Sequence, residues 1–378
     1  MSFTENPVYV LTILCLTVLL SLYAAKTKLG RPMGAALLVI VFTAIIANLK
    51  LIPSASNSIP LYNGIFGYLA PISIFFLLLG ANLRSIKKAG TPMIILFLIG
   101  SLATVLGILA SWYILSPQHI LGADGKILAG MFTGTYTGGS INFNAVALAY
   151  NFQEQGILYA GAIAVDNVIT AIWIILTIAF PTALRHFFKD KKIGLTSIEK
   201  DKADNDTIDL QSLSWLIIMG LLAFFVSEVI TIHLFPKIPS IITLSTIGIL
   251  LAQLPFVAKL RGGHTLGLYL VYLFLAVIGA YCEIDAVIAL KEVGLTLFLF
   301  TSIAVIIHGF IIILLGAITF KDWDMISIAS QANIGGGTSA IALAETFNRK
   351  ELILPAILVG TLGNALGTYL GFMVVSIL

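Results

Sequence analysis

The sequence predicts an all-α polytopic membrane protein of about ten transmembrane helices plus two broken or re-entrant elements, arranged as two inverted repeats. Three observations lead there. Of 378 residues, 59% are hydrophobic and only 10% charged, with a mean hydropathy of +1.04, whereas a soluble domain is about 45–50% apolar and about 25% charged. Apolar runs of spanning length, roughly 20 residues each, recur along the whole chain. Two stretches, 126–153 and 324–347, are apolar overall but interrupted by adjacent glycines and small polar residues. This composition excludes nucleic-acid binding, a secreted scaffold and a large cytosolic catalytic module. The net charge of +3 is too small to imply a polyanionic partner.

The first run, 7–25, follows the acidic Glu5 rather than a basic segment, so it reads as a span and not as a cleavable signal peptide. Further runs lie at 34–50, 62–82, 91–115 and 157–185, then at 213–235, 240–257, 265–284, 293–317 and 352–377. The hydrophilic segment 189–212 separates a first repeat (1–188) from a second (213–378) and reads as a solvated cytoplasmic linker. Cys15 and Cys282 lie in apolar runs without metal-ligand spacing and read as packing residues.

Each half carries a glycine pair, an alanine-rich octapeptide and an asparagine in the same order. Ala145 to Phe152 and Ala340 to Phe347 match at five of eight positions, and Asn167 and Asn364 fall at similar places in the spans that follow. That repeated order predicts a duplication. Charge placement then orients the halves. If both broken stretches crossed the bilayer, the 21 Lys and Arg would divide 10 to 11. If each enters and leaves on one side, 17 lie inside and only Lys50, Lys126, Lys237 and Lys291 outside, as the cytoplasmic excess of basic residues requires. Five crossings plus one re-entrant element per half make the second half inverted, with the N-terminus outside and the protein multi-pass in the plasma (inner) membrane.

Backbone that leaves helical geometry within a bilayer must be satisfied by protein or water, so the breaks should line a cavity. Gly138 and Gly139, and Gly335, Gly336 and Gly337, permit a tight turn, while Ser140, Asn142, Asn144, Thr338 and Ser339 supply polar side chains. These ten are the expected substrate-binding residues. Helices restarting after the glycines would aim N-terminal N–H groups at an anionic group, and freed carbonyls could hold sodium. Ionisable groups in spans are costly and therefore functional candidates. Asp166 leads, with Asn167, Asn333 and Asn364 as expected partners in ion coupling and an Asp166–His308 pair as the purely structural alternative. Glu228 is ambiguous, Gln331 and Glu345 could line the cavity, and His233, Glu283 and Asp285 lie near span ends.

The strings YTGGSINFNAVA (Tyr136 to Ala147) and QANIGGGTSA (Gln331 to Ala340) resemble those of the YjcL-type membrane proteins across essentially the whole chain. The plan of two inverted five-span halves with glycine-rich re-entrant elements also resembles the glutamate:sodium symporters and 2-hydroxycarboxylate transporters. The first break departs from the symporters' GGxG pattern, reading Gly-Gly-Ser-Ile. The resemblance extends to the wider superfamily of bile-acid symporters and cation/proton antiporters, and implies elevator-like motion and a homodimer. The expected function is an ion-coupled, sodium-using secondary transporter of a small polar or anionic solute, the alternative being a sodium/proton antiporter centred on Asp166. No cofactor beyond a bound sodium ion is implied. An intramembrane enzyme is disfavoured, because the five histidines offer no His-Glu-x-x-His or comparable spacing.

Overall fold

The computed structural model describes residues 3–28, 30, 34–54, 57–81, 83–193, 209–236, 238–282 and 291–378. Most of the linker 189–212, together with Lys237, Glu283 and Asp285, lies outside the described residues, as does the side chain of Glu345. Among the described residues every regular element is helical.

The first half comprises α1 (Pro7–Ala24), α2 (Gly34–Asn48), α3 (Pro60–Leu78), α4 (Thr91–Leu115), α5 (Asp124–Gly138), α6 (Ser140–Ala149) and α7 (Gly156–Phe187). The second comprises α8 (Leu210–His233), α9 (Ser240–Ala252), α10 (Gly263–Ala280), α11 (Lys291–Thr319), α12 (Trp323–Ile334), α13 (Gly336–Thr346) and α14 (Ile353–Ile377). Local chemistry sets several ends. Asn6 accepts from Val8 N and Tyr9 N before Pro7 opens α1, and Asp209 accepts from Ser212 N at the start of α8. Within α3 the missing N–H and the ring of Pro71 cannot fit a regular turn against the Gly67 carbonyl, and the backbone widens into a π turn over Ile65–Leu69.

Eight described helices are long and apolar enough to cross a membrane. The runs at 34–50 and 240–257 form shorter helices, α2 with 15 residues and α9 with 13. At 1.5 Å per residue these are about 20–22 Å long, short of a hydrocarbon core of about 30 Å. Pro255 stops α9 early by disfavouring helical backbone just before it. The short helix occupies the second position in each half.

Both broken elements fold back on themselves. In the first, a Cβ on Gly134 would lie 3.1 Å from the Asn142 backbone, and the rings of Phe132 and Phe143 are 6.1 Å apart across the turn. In the second, Arg349 just past α13 reaches Asp322 and Asp324 at the start of α12, at 3.1 and 3.2 Å. The hairpins are exchanged between halves. Helix α5 runs antiparallel to α14, so that Gly130, Gly134 and Gly138 face Gly371, Gly367 and Gly363. Helix α12 runs antiparallel to α7, where Trp173 Nε1 donates to Ser330 Oγ, Thr177 Oγ1 to Gln331 Oε1, and Arg185 to Asp324. With α4 and α11, which cross closely at Gly107 and Ala304, these elements form one bundle. Helices α1–α3 and α8–α10 pack mainly with one another and meet the bundle along α2, α3, α9 and α10.

Candidate functional site

The tips of the two hairpins meet. Helix α5 ends at Gly138, and Gly139 turns the chain with φ 104° and ψ 179° before α6 begins at Ser140. Helix α12 ends at Ile334, and Gly336 turns the chain at φ 75°. A Cβ would be strained at both positive-φ positions. The tips are close enough that a Cβ on Gly336 would lie 3.9 Å from Gly138 O and 4.0 Å from Gly139 Cα. No side chain among the described residues caps the N-terminus of α6, so its first N–H groups and their positive partial charge face whatever occupies the space beyond.

That space has two chambers. One of about 480 Å³ is lined by both glycine turns, Ser140, Thr338, Thr361, Asn364 and the exposed His264. The other, of about 250 Å³, reaches Thr135, Asp166, Asn167 and Thr170. Gly139, Ser140, Asn144 and Gly335 line both chambers, and Leu268 and Val271 of α10 face the hairpins from the opposite wall. A small-molecule site of this size, mostly apolar and with few convergent polar groups, is of ordinary dimensions.

Polar capacity is left over around the second chamber. Asp166 Oδ1, the Tyr136 hydroxyl and Gln331 Nε2 are buried without a hydrogen-bond partner among the described residues. Tyr136 and Asp166 lie within electrostatic reach of each other. Each such group left unsatisfied costs about 1–3 kcal/mol, and more when charged. Asn144 accepts a short hydrogen bond from the Tyr159 hydroxyl, which fixes its carbonyl oxygen.

A family model described as "Protein of unknown function (DUF819)" matches residues 11–378. The chain belongs to this family. It is 28% identical over 370 residues to the uncharacterized membrane protein YjcL of Bacillus subtilis (strain 168), covering 92% of this chain and 90% of that protein. The solved structure of the sodium proton antiporter MjNhaP1 from Methanocaldococcus jannaschii at pH 8 aligns over 98% of this chain and 96% of its own, at TM-score 0.47 and 15% identity. A likeness that low carries neither mechanism nor substrate.

Eleven of the expected residues line the chambers: Gly138, Gly139, Ser140, Asn144, Gly335, Gly336, Gly337, Thr338, Asp166, Asn167 and Asn364. Three do not. Asn142 is turned into the seam with α14, where its Oδ1 accepts from Thr368 N and Oγ1 at 3.0 and 2.8 Å. Asn333 is fully buried against α4, meeting Ser101 Oγ at 2.9 Å. Ser339 donates to Gly336 O at 2.9 Å and braces the turn. These polar groups answer backbone and hydroxyl partners that close helix packing would otherwise strand. His308 does not pair with Asp166. Its Nδ1 lies 3.0 Å from Gly100 O, which can only accept, so the proton belongs on Nδ1. Nε2 is then the acceptor for Ser330 Oγ at 2.9 Å, and Ser330 in turn accepts from Trp173. The wall contributed by α10 and the Tyr136–Asp166 proximity carry no sequence signal. Leu268 and Val271 look like any apolar span residues, and a lone tyrosine thirty positions from an aspartate makes no motif.

Proposed function

We propose that the chain is an ion-coupled secondary active transporter, using sodium, in which ion and a small polar or anionic organic solute share the two chambers at the hairpin tips. The observation that carries the reading is Asp166: an acidic oxygen buried without a partner among the described residues, in a chamber bounded by both glycine turns. A carboxylate so placed is costly unless a cation or proton joins it. Sodium would sit between Asp166, Asn167 and the oxygens of Thr135 and Thr170, all of which line that chamber. The solute's acidic or polar group would meet the N-terminal N–H groups of α6 and α13 in the larger chamber. Coupling requires that both ligands favour the conformations that carry them, because a ligand bound equally to all states shifts none.

The division into two mainly self-packed groups of helices, joined along α2, α3, α9 and α10, suits an elevator-like motion of the hairpin bundle. Two inverted repeats, residues 1–188 and 213–378, with re-entrant hairpins and the N-terminus outside the plasma membrane, are part of the same proposal and rest on the basic-residue count. A homodimer belongs to it too. A sodium/proton antiporter centred on Asp166 is the second reading, favoured by the electrostatic reach between Asp166 and Tyr136.

Reconstituted protein in vesicles separates the two. A symporter takes up a labelled organic acid only with an inward sodium gradient, whereas an antiporter releases protons on sodium addition without any organic solute. Asp166→Asn should lower sodium-driven flux about 10–100-fold, the equivalent of the roughly 1.5–3 kcal/mol of one lost interaction with a charged group. Unchanged sodium and pH dependence in that variant would remove Asp166 from the site.

A further inference from the structure

A second pocket lies away from the hairpin tips, and no residue lines both it and either central chamber. It encloses about 420 Å³ between the far end of α6, the π turn of α3, and helices α8 and α9. The ten residues of α6 put it about 15 Å from the glycine turn at the other end of that helix.

Its chemistry is acidic and acceptor-rich. Glu154 and Glu228 line it, no Lys or Arg among the described residues does, and neither carboxylate joins a described ion pair. Gln153 supplies an independent sign that something is missing. It lines the pocket and is only 4% exposed, yet its Oε1 has no hydrogen-bond partner among the described residues. A buried carbonyl oxygen of that kind calls for a donor or a cation. Phe66 and Phe224 contribute apolar surface to the same lining. The volume is far larger than a bare metal ion needs and falls within the range of small-molecule sites.

Aromatic rings in the same lining as two carboxylates and a free amide oxygen suit a cation with an apolar body. An ammonium can donate to the oxygens while its carbon skeleton covers the rings, and its charge is attracted to the ring faces. We propose that this pocket is a second binding site, specific for a small organic ammonium compound, with Glu154, Glu228 and Gln153 holding the cationic nitrogen and Phe66 and Phe224 the apolar part. It is independent of the transport reading, because it uses neither Asp166 nor the glycine turns.

Gly67 provides a clean way to close the pocket. It lies in the π turn and lines the cavity, and a Cβ placed there meets nothing within 4 Å. Gly67→Leu should therefore fill the pocket without a backbone clash. The test is titration of the purified full chain in detergent with phenethylammonium chloride, followed by thermal unfolding and by calorimetry. Neutral 2-phenylethanol and sodium chloride at matched ionic strength serve as controls.

The expected result is saturable stabilisation by phenethylammonium alone. It should weaken about tenfold in Glu228→Gln and in Glu154→Gln, disappear in Gly67→Leu, and persist in Asp166→Asn. Glu154 and Glu228 stand on different elements, so failure of one variant to fold leaves the other as the test. Equal stabilisation by 2-phenylethanol or by sodium chloride, persistence of binding in Gly67→Leu, or its loss in Asp166→Asn would each overturn the assignment. So would the absence of any saturable effect.

Discussion

The two hairpins are alike at their tips and unlike at their bases and seams. Each turns on a glycine at positive φ, and both turns line the same chamber. Behind the tip the first hairpin is held by bare backbone: glycines at 130, 134 and 138 lie against glycines at 371, 367 and 363, with Asn142 bonded across. The second is held by side chains: Ser330 and Gln331 bond to α7, and its two ends are clasped by Arg349 between Asp322 and Asp324. Arg185 adds the end of α7 and Asp190 to the same cluster. One backbone geometry at the site is thus reached through two kinds of packing, by close approach in a nearly apolar seam and by charge pairing at an end of the bundle. The tip geometry is what the two share, and it is the part the proposed function uses.

The comparison breaks most readily at Arg349. Asp322 and Asp324 are 0% and 2% exposed, so Arg349→Gln leaves Asp322 buried with its cation gone and Asp324 with Arg185 alone. The expected loss is about 3–5 kcal/mol, the usual cost of removing one partner of a buried pair, read as a lower unfolding temperature in detergent. An unchanged melting profile would make the clasp incidental. The first hairpin should respond instead to a single added methyl. A Cβ on Gly138 would sit 2.0 Å from the Gly363 carbonyl carbon, backbone that cannot swing aside, so Gly138→Ala should cost about 1–3 kcal/mol by overpacking. The same readout at Gly161, where a Cβ meets nothing within 4 Å, is the matched control and should be nearly silent. The smallest effect belongs to Ser339→Ala, which removes one hydrogen bond bracing the second turn. About 0.5–1.5 kcal/mol is expected, with chamber geometry preserved and flux nearly unchanged. A large loss of flux would promote Ser339 from bracing the turn to holding ligand.

Much of the fold was legible because the bilayer leaves few options. Ten apolar runs and two glycine-rich interruptions become helices and hairpins near the expected places, and the chamber lining was found from the breaks themselves. Asn142, Asn333 and Ser339 were legible as polar residues near a break but not as packing residues, because period and composition do not tell which way a helix face is turned. The seam was written in the sequence as glycines four apart in both 130–138 and 363–371, a spacing that marks close helix contact in membranes. The glycine pair at 138–139 marks the turn as well as the end of that seam. The clasp had no local signature, since residues 185, 322, 324 and 349 acquire meaning only once folding joins them. Likewise 15- and 13-residue helices at α2 and α9 cannot be told from full spans when the apolar run continues past the helix end.

The glycine seam also limits how this chain can vary. In a packed core, a residue that grows can be accommodated by a neighbour that shrinks. Where Gly138 would place its first side-chain atom 2.0 Å from the Gly363 carbonyl carbon and 2.6 Å from Asn364 N, the opposing surface is already main chain and has nothing to give up. Paired substitutions at the Gly138–Gly363 crossing should therefore fail to rescue one another, and a second-site suppressor there would have to shift a whole helix.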